Sequence, residues 1–429
     1  MSEPPTAVST ALLTDHYELT MLQAALASGT ASRRCVFEVF ARRLPEGRRY
    51  GVVAGTGRVL DALEAFRFGP AELDALADVV DERTLAWLAD HRFTGDVWGY
   101  GEGEVHVADS PVLVVEGTFA EAVLLETLVL SILNHDSAIA AAASRMTLVA
   151  GGRPCIEMGS RRTHEEAAVA AARAAYVAGF AASSNLAARQ RHGVPTTGTS
   201  AHAFTLLHDS ETDAFRAQVA SLGTGTTLLV DTYDVAEAVR RGVEVAGPGL
   251  GAVRIDSGDL GVLAVEVRRE LDALGAHDTR IVVTSDLDEH AIAALAAAPV
   301  DGYGVGTRLV TGSGHPTCGF VYKLVAREGA DGGLEPVAKR SPHKASTGGR
   351  KWAGRRVVGG RAQAEVIRRS PDLGPDERPL LLPLVCEGEV VGREPLEAAR
   401  ARHAASVAEL PVAVRSMARG EQAIPTEHA

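Results

Sequence analysis

The chain has 429 residues, 46% hydrophobic and 23% charged, with a formal net charge of −12 at pH 7. That length holds two domains, or one large barrel with an attached domain, and supplies ample material for a core. The acidic balance excludes a general nucleic-acid binder, and no apolar run reaches membrane-spanning length.

Cys35, Cys155, Cys318 and Cys386 are too scattered for a zinc site or a disulfide framework, which suits a reducing cytoplasm. The opening residues lack a basic region followed by an apolar block, so no secretory signal is expected. The only lysines are Lys323, Lys339, Lys344 and Lys351. No earlier strand therefore carries a Schiff-base lysine, and no Walker A loop occurs.

In chain order, residues 12–27 carry a helical apolar pattern with Asp15 at the N-cap and Tyr17 and Glu18 in the first turn. Residues 36–45 form a β-rich run closed by Pro45, a helix follows around 57–66, and residues 80–117 read as short strands between glycines and prolines. Residues 119–147 read as one long helix, with Leu124, Leu125, Leu128, Ile132 and Leu133 at helical spacing. Its polar break, Asn134, His135 and Asp136, fits a buried hydrogen bond as well as a site.

From residue 153 strand–helix repeats begin. CIEMGSRR (155–162) ends in Arg161 and Arg162, and Thr163 with Glu166 suggests a capping box for a helix over 165–179. The stretch 194–204 breaks at Gly198 and then presents Thr199, Ser200 and His202. TTLLVDTYD (226–234) ends at Asp231, with Asp234 capping the next helix. AVRIDSGDL (252–260) ends at Asp256; RIVVTSDLDE (280–289) carries Ser285 and Asp288 as a capping box; DGYGVGTRLVT (301–311) is the last clear unit. Six strand ends in series, each finishing in polar residues, favour a barrel-like α/β arrangement over an open doubly wound sheet. Residues 322–369 gather Lys339, Arg340, Lys344, Arg350, Lys351, Arg355 and Arg356, which reads as a solvated face. The end of the chain has an apolar run from 380, a helix at 396–410 and a polar, mobile tail.

Side chains at the carboxyl ends of parallel strands face a substrate crevice in such folds. His202 there can be a base, a phosphate ligand or a nucleophile, although alone it is an ordinary loop histidine. Gly304, Gly306 and Thr307 directly follow a strand, where backbone N–H groups and a hydroxyl can cradle a phosphate. Arg254 and Asp256, two apart on one strand, point to the same side. With Ser257 and Asp259 they can clamp a carboxylate and hold ribose hydroxyls or Mg²⁺, or they can simply brace the barrel. Together these groups suggest a phosphorylated sugar plus a planar or carboxylated partner.

LLTDHYELTM, FEVFARRLP, EMGSRRT, TGTSAHAF, RIDSGDL and GVGTRLVT, in this order, resemble the nicotinate phosphoribosyltransferase family from about residue 12 to LPVAVRSMARGE near the end. The resemblance implies a type II phosphoribosyltransferase fold: an irregular TIM-like α/β barrel over 151–325, a connecting helix over 119–150, and an α+β domain built from 1–118 and a returning segment 326–429. It implies a cytoplasmic homodimer with interface sites that joins nicotinate to 5-phosphoribosyl pyrophosphate, with Mg²⁺ and ATP. By the same resemblance His202 becomes a phosphohistidine and Asp256 is the second catalytic residue. Tyr17, Arg161, Thr199 and Arg254 bind nicotinate, Tyr17 stacking on the ring from the neighbouring subunit and Arg254 reading the carboxylate. Ser257, Gly258, Asp259, Gly304, Gly306 and Thr307 take the phosphoribosyl pyrophosphate, with Asp259 near Mg²⁺. HKASTGGRKWAGR departs from the family pattern, in which a proline usually precedes the first glycine. The competing readings are a nicotinamide-specific relative and a catalytically silent nicotinate sensor.

Overall fold

In the computed structural model, which describes residues 8–339, 347–415 and 417–429, the chain divides into two compact units. One comprises Met1–Ala140 with Thr317–Ala429, the other Ala141–Pro316. The sequence-based boundaries stood at 118, 150 and 325; the contact-based ones fall at 140 and 316, the first of them inside the helix Glu126–Ala150.

The first unit is built on a seven-stranded antiparallel sheet in the order Leu334–Pro336, Phe320–Glu328, Arg34–Ala41, Leu113–Thr118, Asp96–Tyr100, Leu381–Cys386, Glu389–Val390. Early and late segments thus share one sheet. Arg34–Ala41 is buried at every position after Arg34, as its run of Val and Phe requires for a central strand. Val36 of this strand shares the core with Leu22, Leu113, Leu128 and Tyr322. A second sheet runs Glu377–Pro379, Trp352–Val358, Arg361–Arg368, Thr426–His428.

Several expectations are corrected here. The end of the chain is not a loose tail, because Thr426–His428 pairs in parallel with Arg361–Arg368. Residues 82–90 are a helix rather than a strand: Asp81 accepts from the Thr84 backbone N at 2.8 Å, and Thr84 and Leu88 turn inward one helical turn apart. The long helix starts late, with Phe119–Val123 forming a separate turn. Its polar triplet is a buried hydrogen bond, since Asp136 is fully buried and accepts from Arg58 Nη1 at 2.8 and 3.0 Å. The basic stretch is not a uniform solvated face either: Lys351 and Arg355 are buried, and Lys351 Nζ donates to Glu38 Oε2 at 2.5 Å. Arg340 and Lys344 lie outside the described residues.

The second unit is organised by six parallel strands in the order Ala182–Ser183, Cys155–Glu157, Gly302–Val305, Arg280–Ser285, Ala252–Ile255, Thr227–Leu229. Thr196 adds a single parallel bridge to Ser183. Among the described residues no pairing joins this edge to Thr227–Leu229, so the sheet is a half-barrel and the closed barrel is not formed by hydrogen bonding. Val253, Ile255, Ile281, Val283, Tyr303 and Val305 are buried, as strands flanked by crossover helices must be. Two caps differ from expectation. The helix Glu165–Val177 is capped by His164 rather than Thr163, and the helix Glu289–Ala294 by Asp288 alone, which accepts from the backbone N of His290 and Ala291.

Candidate active site

The carboxyl ends of these strands do what the pattern of polar strand ends anticipates. They surround a cavity of about 260 Å³ whose lining includes Arg161, Arg254, Asp256, Gly304, Gly306 and Thr307. Met158, Arg162, Thr284, Ser285 and Asp286 complete it. Arg161 and Arg162 arrive on the short 3₁₀ turn Ser160–Arg162 directly after the strand Cys155–Glu157. Gly304 has a packing reason to be bare: a Cβ there would strike Thr284 Cγ2 and come within 2.8 Å of Met158 Sδ. Gly306 has no such crowding and forms the N-cap of the turn Thr307–Val310.

Arg254 is the pivot. Its Nη1 donates to Thr199 Oγ1 at 2.6 Å, and its Nε is buried without an acceptor. Burial pulls the guanidinium below its ordinary range. The nearby Asp256 and Asp231 carboxylates oppose that shift, and Arg161 adds to it. Asp256 Oδ1 accepts from the Thr284 hydroxyl.

Asp231, seen in the sequence only as a strand end, is a hub. Its Oδ1 faces His202 Nε2 at 3.2 Å; its Oδ2 accepts from Asp256 N and from Ser257 Oγ, each at 2.9 Å. The carboxylate is nearly buried while the imidazole is 41% exposed. Two side-chain contacts, His202–Asp231 and Arg254–Thr199, therefore span the edge of the sheet that backbone pairing leaves open. His202 opens the helix His202–Leu207 and is not among the cavity-lining residues.

The remaining anticipated residues are dispersed. Gly258 takes a left-handed φ of 87°, and Asp259 caps the helix Leu260–Ala273 by accepting from Val262 N at 3.2 Å, so neither lines the cavity. Tyr17 sits on the first turn of the helix His16–Ser28 in the other unit, with 44% of its surface exposed. Burial, with Glu126 and Glu18 beside it, pushes its phenol well above the ordinary range. Asp286 and Thr284 were missed; both belong to the stretch TSDLDE, and the strand-end rule that selected Asp256 would have selected them. Among the described residues no cluster of three or more His, Cys, Asp or Glu could hold a metal ion unaided, and no helix is long and apolar enough to cross a membrane.

Residues 12–134 match the family model described as the nicotinate phosphoribosyltransferase (NAPRTase) N-terminal domain. Nicotinate phosphoribosyltransferase pncB1 of Mycobacterium tuberculosis (strain H37Rv) is 58% identical, covering 99% of this chain and 96% of its own. Nicotinate phosphoribosyltransferase of Bacillus subtilis is 38% identical over 80% of this chain and 72% of its own. Among solved structures, human nicotinic acid phosphoribosyltransferase aligns with a TM-score of 0.83 and 25% identity, covering 96% of this chain and 97% of that one.

Proposed function

The chain belongs to the nicotinate phosphoribosyltransferase family, and on that premise we propose that the cavity at the parallel strand ends joins nicotinate to 5-phosphoribosyl pyrophosphate, giving nicotinate mononucleotide and pyrophosphate in NAD salvage. The observation that carries the reading is Arg254, a desolvated guanidinium that donates to one neutral hydroxyl and shares the cavity with Arg161 and Arg162. A pyridine carboxylate supplies the acceptor oxygens this cluster lacks. The pyridine nitrogen carries no proton at neutral pH, so no strong general base is required. It attacks C1′ while pyrophosphate departs through an oxocarbenium-like transition state, and the chain contributes mainly positioning and charge stabilisation.

Within this reading Gly304, Gly306 and Thr307 take the 5-phosphate, while Asp256 and the Ser257-Gly258-Asp259 turn face the ribose. Asp256 and Asp286 both line the cavity, which suits an ion held by one or two carboxylates plus substrate phosphates better than an all-protein cage. Bound there, Mg²⁺ supplies neutralisation of the leaving group's charge. The half-barrel is read as the irregular α/β barrel of the type II phosphoribosyltransferase fold. The assembly is read as a cytoplasmic homodimer in which Tyr17 stacks on the pyridine of the neighbouring subunit.

His202 is the site of ATP coupling. Asp231 holds the proton on Nε2, which leaves the Nδ1 lone pair to attack the γ-phosphorus of ATP as ADP departs. Hydrolysis of the phosphohistidine later in the cycle drives the equilibrium towards the mononucleotide. The test is product formation from nicotinate and phosphoribosyl pyrophosphate with Mg²⁺, with and without ATP, and with nicotinamide in parallel. Nicotinate turnover that rises with ATP is expected, and His202→Ala is expected to abolish the ATP-stimulated increment. Turnover of nicotinamide alone would overturn the substrate assignment, nicotinate binding without turnover would favour a sensor, and full ATP coupling in His202→Ala would remove that residue's role.

A further inference from the structure

Glu157 is fully buried at the end of its strand and does not line the cavity. Burial pushes its carboxyl up, opposed by hydrogen bonds from Ser183 and Gly159 and by no cation. A buried carboxylate without a counter-charge is a costly way to hold a chain together. Its geometry gives it a use. One oxygen accepts from the Gly159 backbone N–H, at the root of the turn that carries Arg161 and Arg162; the other accepts from Ser183 Oγ at 2.5 Å.

Ser183, equally buried, faces both ways. Its Oγ also accepts from Asn185 N at 2.8 Å, and Asn185 Nδ2 donates to Ser160 Oγ at 3.0 Å, returning to the arginine turn. Its backbone grips the other segment: Ser183 N donates to Pro195 O at 2.9 Å, and Thr197 N donates to Ser183 O at 3.0 Å. Two residues beyond Thr197 stands Thr199, the partner of Arg254, and His202 follows three residues later. The arginine turn also has no slack. A Cβ at Gly159 would strike Val310 Cγ1 and lie 3.1 Å from Gly306 O, so the turn is closely packed at its root.

We propose that Glu157 and Ser183 are a positioning pair that holds the Arg161–Arg162 turn and the loop bearing Thr199 and His202 in one frame. The inference rests on the functional reading above for what those segments bind. The carboxylate is needed because it offers two acceptors at once. Glutamine offers one acceptor and an amide N–H that the remaining lone pair of Ser183 Oγ can receive, so it preserves most of the frame. Alanine removes both carboxylate contacts, to Gly159 N and to Ser183 Oγ.

The test is steady-state kinetics on the full-length Glu157→Ala, Glu157→Gln and Ser183→Ala proteins, varying nicotinate and phosphoribosyl pyrophosphate separately, with thermal unfolding alongside. Glu157→Ala is expected to raise the nicotinate KM about tenfold or more while the phosphoribosyl pyrophosphate KM moves less than about threefold, because misplaced binding groups lose orientation. Glu157→Gln recovers most of that loss. Ser183→Ala, which removes one hydroxyl with its contacts to Glu157 and to the Asn185 backbone N–H but leaves the Pro195 and Thr197 backbone bonds, shows the same split and keeps the question decidable if Glu157→Ala does not fold. A folded variant with an unchanged nicotinate KM, or a uniform fall in kcat with both KM values unchanged, would overturn the pairing. Wild-type turnover of nicotinate in the same assay separates the two readings, since its absence defeats the substrate assignment whatever the variants do.

Discussion

Arg254 and Arg355 are both strand arginines drawn out of water beside two carboxylates, yet the two regions settle the charge in opposite ways. Arg355 Nη1 donates to Glu104 Oε1 at 2.7 Å and to Ser406 Oγ at 2.9 Å; its Nη2 donates to Val105 O at 2.6 Å and to Glu365. Burial acts to lower it, but Glu365 and Glu104 outweigh that and hold it above its ordinary value. Arg254 receives less compensation: burial dominates and holds it below. The first is a densely bonded network, with only its Nε left without a partner, that joins late strands to early ones. The second is a cation still short of acceptors, and a short supply of acceptors at a cavity wall is what an anionic ligand can relieve.

The sharpest way to break this contrast is to remove each arginine. Arg355→Met strands Glu365 in the interior without a cation, while Glu104 keeps Arg378, and is expected to cost about 3–5 kcal/mol of stability, read by chemical denaturation. Arg254→Ala is expected to lower kcat/KM for nicotinate about 10- to 100-fold and to leave the unfolding midpoint at or above that of the wild type. If the two variants destabilise the protein equally, Arg254 is a brace and the comparison collapses. Arg254→Lys falls between, since an ammonium keeps the charge and loses the fork that matches a carboxylate. A third variant tests the hub: Asp231→Asn is expected to reduce the ATP-stimulated rate about tenfold, measured as nicotinate turnover with and without ATP.

The smallest effect concerns the first region alone. Burial pushes His91 down to about 4 from 6.5, and its ring nitrogens have no hydrogen-bond partner among Trp87, Phe66 and Phe68. The unfolded chain therefore takes up the proton first as pH falls below 6.5. The stability tied to His91 is complete above that pH and is lost towards pH 4. His91→Phe removes this dependence without leaving a polar group unpaired. Its stability relative to the wild type is expected to improve by about 1 kcal/mol between pH 7.5 and 5.5, measured by denaturation at both pH values.

Much of the cavity-lining face was legible in the sequence because its signals are local. A strand must end in polar residues where it reaches a crevice, so Arg161, Arg254, Asp256 and Thr307 could be picked out one by one, and the cavity gathers all four. Asp15 and Asp234 could be read as helix caps for the same reason, since a cap bonds within three residues of itself. The helix at 82–90 was harder: it spans only nine residues and precedes a run of short strands punctuated by Gly and Pro, with which it is read.

Long-range partnership is what the sequence left undecided. Nothing near Asp231 announces that its two oxygens serve His202 and the Asp256–Ser257 turn, 25 to 29 residues away. Nothing near Lys351 announces Glu38, 313 residues away, and so a basic run that looks solvated turns inward. Gly304 reads from its turn alone as a phosphate glycine; that Thr284 and Met158 also fill its side-chain space is visible only in the fold. The order of residues determined the strand ends, caps such as Asp15 and Asp234, and the family, because backbone periodicity and short-range hydrogen bonds are written in neighbouring residues. Which buried charges are matched and which stay short of partners was decided only by the tertiary structure, because that balance depends on groups brought together from distant parts of the chain.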